Sequence, residues 1–124
     1  MIKETVTSVM DRLCLPYAYL EFQRIDEELY FVGERIESPQ TQEDGAQCGT
    51  FIVSGWSYAG LASLDEAEDL IRDAFDDLRV RDAHGTCCIG YSHSQDVPSD
   101  VHGICRKDFT LDYTEWIIKR KEPT

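Results

Sequence analysis

The stretch SLDEAEDLIRDAFDDLRV, residues 63–80, decides the fold class of this sequence. Ser63 stands three residues before Glu66, and this spacing is the capping-box pattern of a helix start. Apolar residues then recur at steps of three and one, which is the spacing of one helix face. They are Ala67, Leu70, Ile71, Ala74, Phe75 and Leu78. The pattern predicts a helix from Leu64 to about Val80, roughly 25 Å long at 1.5 Å per residue.

Shorter patterns on either side of this helix predict a sheet. An apolar stripe over residues 2–13 predicts a second, short amphipathic helix, which Pro16 ends. Alternating or aromatic-rich runs predict strands over residues 17–22, 29–37, 48–58, 86–91 and 108–118. Polar runs predict loops over residues 38–47 and 92–100. Because successive strands joined by short turns pair antiparallel, we expect an α+β fold: a mainly antiparallel sheet of about four to five strands, with two helices packed on one face.

Length and charge limit the classes of protein that fit. The chain has 124 residues, 42% of them hydrophobic, so we expect a single α+β domain over residues 1–119 and a short basic tail over residues 120–124. It carries 24 acidic residues against 12 Lys and Arg, a net charge of −12. A protein that binds nucleic acid without sequence preference needs a basic surface to displace counterions from phosphate. We therefore expect no stable nucleic-acid binding.

Targeting signals and disulfide patterns are not evident. The first ten residues, MIKETVTSVM, lack the apolar core of a secretory signal, and the longest mostly apolar run, residues 13–20, is too short to cross a bilayer. We expect a soluble protein with no membrane association. The five cysteines are odd in number and form no C-x-x-C motif, so we expect reduced thiols.

Two similar tetrapeptides, HGTC at residues 84–87 and HGIC at residues 102–105, raise the question of a zinc site. If the strands around residues 92–100 form a hairpin, Cys87 faces Cys105, but the two histidines lie at opposite ends of the ladder. No local signature marks a cysteine nucleophile, and no glycine-rich phosphate loop is present. We therefore expect no metal, no cofactor and no enzymatic activity.

The predicted long helix is strongly acidic on its outer side. The acids are Asp65, Glu66, Glu68, Asp69, Asp73, Asp76 and Asp77. Such a surface keeps a protein soluble, and it also repels DNA phosphates, imitates them, or docks a basic partner. An acidic DNA-mimic inhibitor of a nuclease or restriction enzyme is therefore an alternative function.

Aromatic residues are candidates for both core and interface positions. Trp56 and Tyr58 share a strand face with Ile52, which favours the core for both. Trp116, near the C-terminal end, is the better candidate for an interface.

The order of these elements resembles small tail-terminator, tail-completion or minor-capsid proteins of long-tailed bacteriophages. A short helix and a strand precede ELYFVGERIESPQTQEDGAQCGTFIVSGWSYAG; the helix SLDEAEDLIRDAFDDL follows, and KDFTLDYTEWIIK ends the pattern. In these proteins a polar loop links two long strands, an amphipathic helix follows, and a final strand closes the sheet. The resemblance covers about residues 1–119, but residues 83–105 have no counterpart.

The resemblance implies a virion protein, assembled in the cytoplasm of a bacterial host, that forms a homo-oligomeric ring, usually a hexamer. Its partners would be the phage tail tube and the head connector. Within this expectation the interface residues are the loop acids Glu43 and Asp44, together with Trp116, Lys119 and Arg120. Because acidic subunits repel one another, we also expect residues 119–121, or Arg79 and Arg81, to offset the acids of a neighbouring copy.

Overall fold

The computed structural model describes residues 1–20, 29–41, 45–58, 60–98 and 103–117, and its elements lie within these ranges. In chain order they are α1 (Ile2–Arg12), β1 (Tyr17–Tyr19), β2 (Leu29–Thr41), β3 (Gln47–Ser57), α2 (Leu61–Phe75), β4 (Leu78–Asp82), β5 (Gly85–Val97) and β6 (Cys105–Ile117). The predicted α+β class with two helices is confirmed. No helix in these ranges is long and apolar enough to cross a membrane.

The strands form a single mixed sheet in the order β1-β2-β3-β6-β5-β4. β1 is parallel to β2, and every other neighbouring pair is antiparallel. In the described part of the chain the sheet has six strands, one more than the predicted four to five, because residues 78–82, which the periodicity assigns largely to the long helix, form β4. α2 ends at Phe75, where Asp76 is extended and Asp77 has a φ of 50°, and the chain then runs beside β5.

The start of α2 also differs from the prediction. The helix begins at Leu61, three residues before the predicted start, and its N-cap is Gly60, which has a φ of 99°. No side chain caps it, so the predicted capping box at Ser63 was wrong. Glycine adopts this backbone conformation without steric cost, so the chain turns into the helix directly after β3.

One hydrophobic core lies between the helices and the sheet. α1 contributes Ile2, Val6, Val9 and Met10, and α2 contributes Leu64, Ala67, Ile71 and Phe75. From the sheet, Phe31, Phe51 and Phe109 of three neighbouring strands are at most 1% exposed. Both helices therefore cover the same face of the sheet, and we call the opposite face the outer face.

The predicted polar loops are partly strand. β2 continues to Thr41 and β3 begins at Gln47, with a register shift between Glu37 and Thr41. β5 continues to Val97, with a bulge between Tyr91 and His93. Because the chain reverses after Val97, the register of β5 on β6 also differs from the one expected from the sequence.

Candidate functional site

One corner of the outer face carries two arginines and a tryptophan. Arg79 and Arg81 of β4 alternate with Leu78, which packs against the core, so their side chains lie on the outer side. Thr86 of β5 lies directly between Arg81 and Trp116 in the strand register. The Arg79 side chain is 75% exposed and Trp116 is 36% exposed. We call Arg79, Arg81 and Trp116 the Arg-Trp corner.

Of the predicted interface residues, Trp116 alone lies within the described ranges. Glu43, Asp44, Lys119 and Arg120 lie outside the described residues. Sequence reasoning named Arg79 and Arg81 only as general counter-charges. The alternation of apolar and basic residues over 78–81 was the signal that could have placed them on a strand.

The exposed side of α2 forms the acidic face, which consists of Glu66, Asp69, Leu70 and Asp73. Positions three, four and seven residues apart lie on one side of a helix, so these four side chains are neighbours. Leu70 is 47% exposed although it belongs to the predicted apolar stripe. Arg72 Nη2 donates a hydrogen bond to Asp69 Oδ1 at 2.6 Å. The acidic face thus presents a leucine between carboxylates.

A second aromatic group lies at the opposite end of the outer face. The rings of Tyr30 and Trp56 stack with centroids 5.1 Å apart, and the Arg106 guanidinium lies 5.1 Å from the Trp56 ring centroid. Burial, with a smaller contribution from nearby Tyr58, raises the pKa of Tyr30. The prediction that Trp56 and Tyr58 belong to the core was wrong: Trp56 is half-buried on the outer face and Tyr58 is 57% exposed.

Lys107 is buried and lies at the centre of the largest ion-pair network among the described residues. Its Nζ lies 2.9 Å from Asp65 Oδ1 and 3.7 Å from Asp96 Oδ1, and it also pairs with Glu68. Burial lowers the pKa of Lys107, but its hydrogen bonds to Glu68 and Asp65 outweigh burial and raise the pKa overall. The same bond from Lys107 is the main reason why the pKa of Glu68 is lowered. Ser94 Oγ also donates to Glu68 Oε1 at 2.8 Å, so the network ties α2 to the β5–β6 hairpin.

Glu115 holds the start of α1 against the sheet. Its side chain is buried, and its Oε2 accepts a hydrogen bond from the Ile2 backbone N–H at 3.2 Å. A carboxylate at the first turn of a helix satisfies free N–H groups and complements the helix dipole. Cys87 lies opposite Glu115, and burial, followed by the Glu115 charge, raises the pKa of this thiol to about 12. Cys87 is therefore not a ready nucleophile at neutral pH.

The expected pairing of Cys87 with Cys105 was wrong. Cys87 faces Glu115, and Cys105 faces Ser57 of β3. The hairpin turns later in the sequence than predicted, which shifts every partner along β6. Among the described residues, no three His, Cys, Asp or Glu side chains are placed to hold a metal ion, and His102 lies outside those residues.

A groove of about 570 Å³ separates α1 from β4. Val9, Val80 and Ile117 form apolar parts of its lining, and Glu4, Arg12 and Asp82 contribute charges of both signs. The mixture favours no particular ligand chemistry.

Comparison with known proteins gives a structural likeness. No family model and no curated protein matches the sequence. The fold is similar to that of a chain in the virion of a native gene transfer agent (GTA) particle, with a TM-score of 0.70 over 86% of this chain and 83% of that one. This fold occurs in a virion. A second solved structure has a TM-score of 0.68 over 92% of this chain and 89% of its own. At 11% and 15% sequence identity, the likeness concerns the fold, and the tail-terminator resemblance stays a prediction.

Proposed function

We propose that this chain is a structural protein of a phage or prophage particle, which caps or completes the tail tube and joins it to the head connector as a homo-oligomeric ring. The observation that carries the proposal is the fold shared with a chain of the GTA virion, at a TM-score of 0.70. The protein assembles in the cytoplasm of its bacterial host and acts in the virion, without enzymatic chemistry, cofactor or metal.

The charge of the chain supports this role. Each copy carries a net charge of −12, so an assembled ring is strongly acidic. A ring of such subunits surrounds its channel with negative potential, which acts over a Debye length of about 8 Å at physiological ionic strength. DNA that passes through the channel is repelled by the wall and does not adhere to it.

We expect the purified protein to form a ring whose mass is a small multiple of 14.2 kDa, with six copies as the first expectation. Size-exclusion chromatography with light scattering over a concentration series measures that mass, and negative-stain microscopy shows the ring. Because some rings form only on their tail, the same chain is also mixed with tail tubes purified from the producing bacterium. A chain that is monomeric at every concentration and does not bind the tubes contradicts the proposal.

The acidic face of α2 favours one alternative, a DNA-mimic inhibitor of a nuclease or restriction enzyme. In that case wild-type protein inhibits a basic nuclease at low salt, and neutralising Asp69, Asp73, Asp76 and Asp77 to asparagine abolishes the inhibition. Inhibition that survives the four substitutions, or no inhibition by the wild type, contradicts the alternative.

A further inference from the structure

We propose that the acidic face of α2 in one copy docks on the Arg-Trp corner of the next copy, and that this contact is the subunit interface of the ring. The inference rests on the proposed function, because it assigns the surface through which copies of this chain associate.

The Arg-Trp corner is an exposed cationic surface on a very acidic protein. Several other described cations are engaged: Lys107 lies among three carboxylates, Arg106 binds Asp108, and Lys3 lies over the Tyr19 ring. Arg12 is exposed beside the groove between α1 and β4, on the helical side of the sheet. Among the described residues, Arg79 forms an ion pair only with the exposed Asp77, and its Nε lies 4.0 Å from Asp77 Oδ1. For Arg81, no carboxylate within ion-pair distance is found in the described ranges.

The corner also has the composition of a strong contact. Tryptophan and arginine are enriched among the residues that contribute most to protein interfaces. Within the described ranges β4 is an edge strand of the sheet, so Arg79 and Arg81 lie where a partner can approach.

The acidic face of α2 is opposite in charge to this corner. Glu66 and Asp73 flank Leu70 and are about 10 Å apart along the helix axis, at 1.5 Å per residue. On the corner, Arg79 and Arg81 are about 7 Å apart along β4, and Trp116 lies two strands away, at about 10 Å. The difference between the two spacings is within the reach of the long arginine side chains, so each of the two acids can meet one arginine.

The position of the two surfaces determines the kind of assembly. The acidic face lies on the helical layer and the corner lies on the outer face of the sheet, so a copy presents different surfaces to its two neighbours. Such a head-to-tail contact is heterologous, and it closes into a ring when the rotation between copies allows it. It also brings cations of one copy to acids of the next, which offsets the repulsion between subunits.

Charge exchange tests this interface. The corner variant carries Arg79→Glu and Arg81→Glu, and the helix variant carries Glu66→Lys and Asp73→Lys. Each variant alone places like charges across the contact, so we expect a dissociation constant raised by about 100-fold or more. An equimolar mixture restores opposite charges at every contact, so we expect rings in which the two variants alternate.

Matched controls separate this effect from a change in net charge or folding. Asp11→Lys with Glu34→Lys alters the net charge as the helix variant does, at exposed positions on α1 and β2 away from both surfaces, and is expected to leave the ring intact. Circular dichroism and thermal unfolding of all variants check that each one folds, since every substituted side chain is exposed.

Light scattering and native mass spectrometry give distinct outcomes. A wild-type chain that stays monomeric, with and without tail tubes, overturns the ring itself. A wild-type ring that persists in both charge variants overturns this interface and leaves the ring standing. Two dissociated variants that do not assemble on mixing also overturn the proposed pairing of surfaces.

Discussion

Replacing Gly85 by alanine is expected to lower the free energy of unfolding by about 3 kcal/mol. Gly85 has a φ of 146°, a conformation that side chains with a Cβ rarely adopt. An added Cβ would also lie 1.9 Å from the Trp116 carbonyl oxygen, and this backbone atom cannot move away without displacing β6. Strain and clash act together at the start of β5, next to the Arg-Trp corner.

Chemical denaturation monitored by circular dichroism measures this effect. Gly90→Ala in the same strand is the matched control, because a Cβ at Gly90 meets no atom within 4 Å, and we expect a change within about 0.5 kcal/mol. Equal stabilities of the two variants would show that the chain at Gly85 relaxes at little cost.

Replacing Lys107 by methionine is expected to lower the free energy of unfolding by about 2 to 3 kcal/mol at neutral pH. The substitution keeps most of the side-chain volume but leaves Asp65, Glu68 and Asp96 without their shared cation. This expected loss is smaller than the loss on breaking a fully buried ion pair, because the Asp65 and Asp96 side chains are 55% and 65% exposed and remain hydrated.

The pH dependence of this loss follows from the two pKa shifts. Glu68 has a pKa below its ordinary 4.5, so its contribution is present above that value and disappears as the pH falls through the folded-state pKa. Lys107 has a pKa above its ordinary 10.5, so its contribution is complete below that value and is lost only as the pH rises through the folded-state pKa. The difference between wild type and Lys107→Met is therefore largest between about pH 5 and pH 10 and shrinks in acid.

Arg72→Met is the control for this experiment. Arg72 pairs with Asp69 at 2.6 Å, but the two side chains are 49% and 69% exposed, so we expect a loss of about 0.5 kcal/mol at most. If the two variants lose the same stability, or if the Lys107→Met difference is independent of pH, the buried network does not stabilise the fold as described.

The sequence predicts the parts of the fold that depend on local periodicity. The stripe from Ile2 to Met10 is buried in the core, as expected, and so are Leu64, Ala67, Ile71 and Phe75 of α2, whereas Leu70 of the predicted stripe is exposed. The alternation of Phe109, Leu111 and Tyr113 likewise places these side chains in the core.

Features that depend on pairing between distant segments were missed. Leu78 and Val80 continue the apolar pattern of the helix, and only the turn at Asp77 and the pairing with β5 make them part of a strand. Both faces of β3 carry apolar residues, so alternation alone does not say whether Phe51 or Trp56 faces the helices. The Arg-Trp corner was missed for the same reason, since Arg81 and Trp116 become neighbours only through the pairing of both strands with Thr86 of β5.

The position of β6 inside the sheet determines when the fold can be completed during synthesis. β6 is the last of these strands to leave the ribosome, yet it lies between β3 and β5 and joins the two halves of the sheet. Until it emerges, β3 exposes an unpaired edge and α1 lacks its Glu115 contact, so the nascent chain cannot complete its core. The fold can therefore be completed only after β6 has emerged, and its many long-range strand pairs favour slow folding.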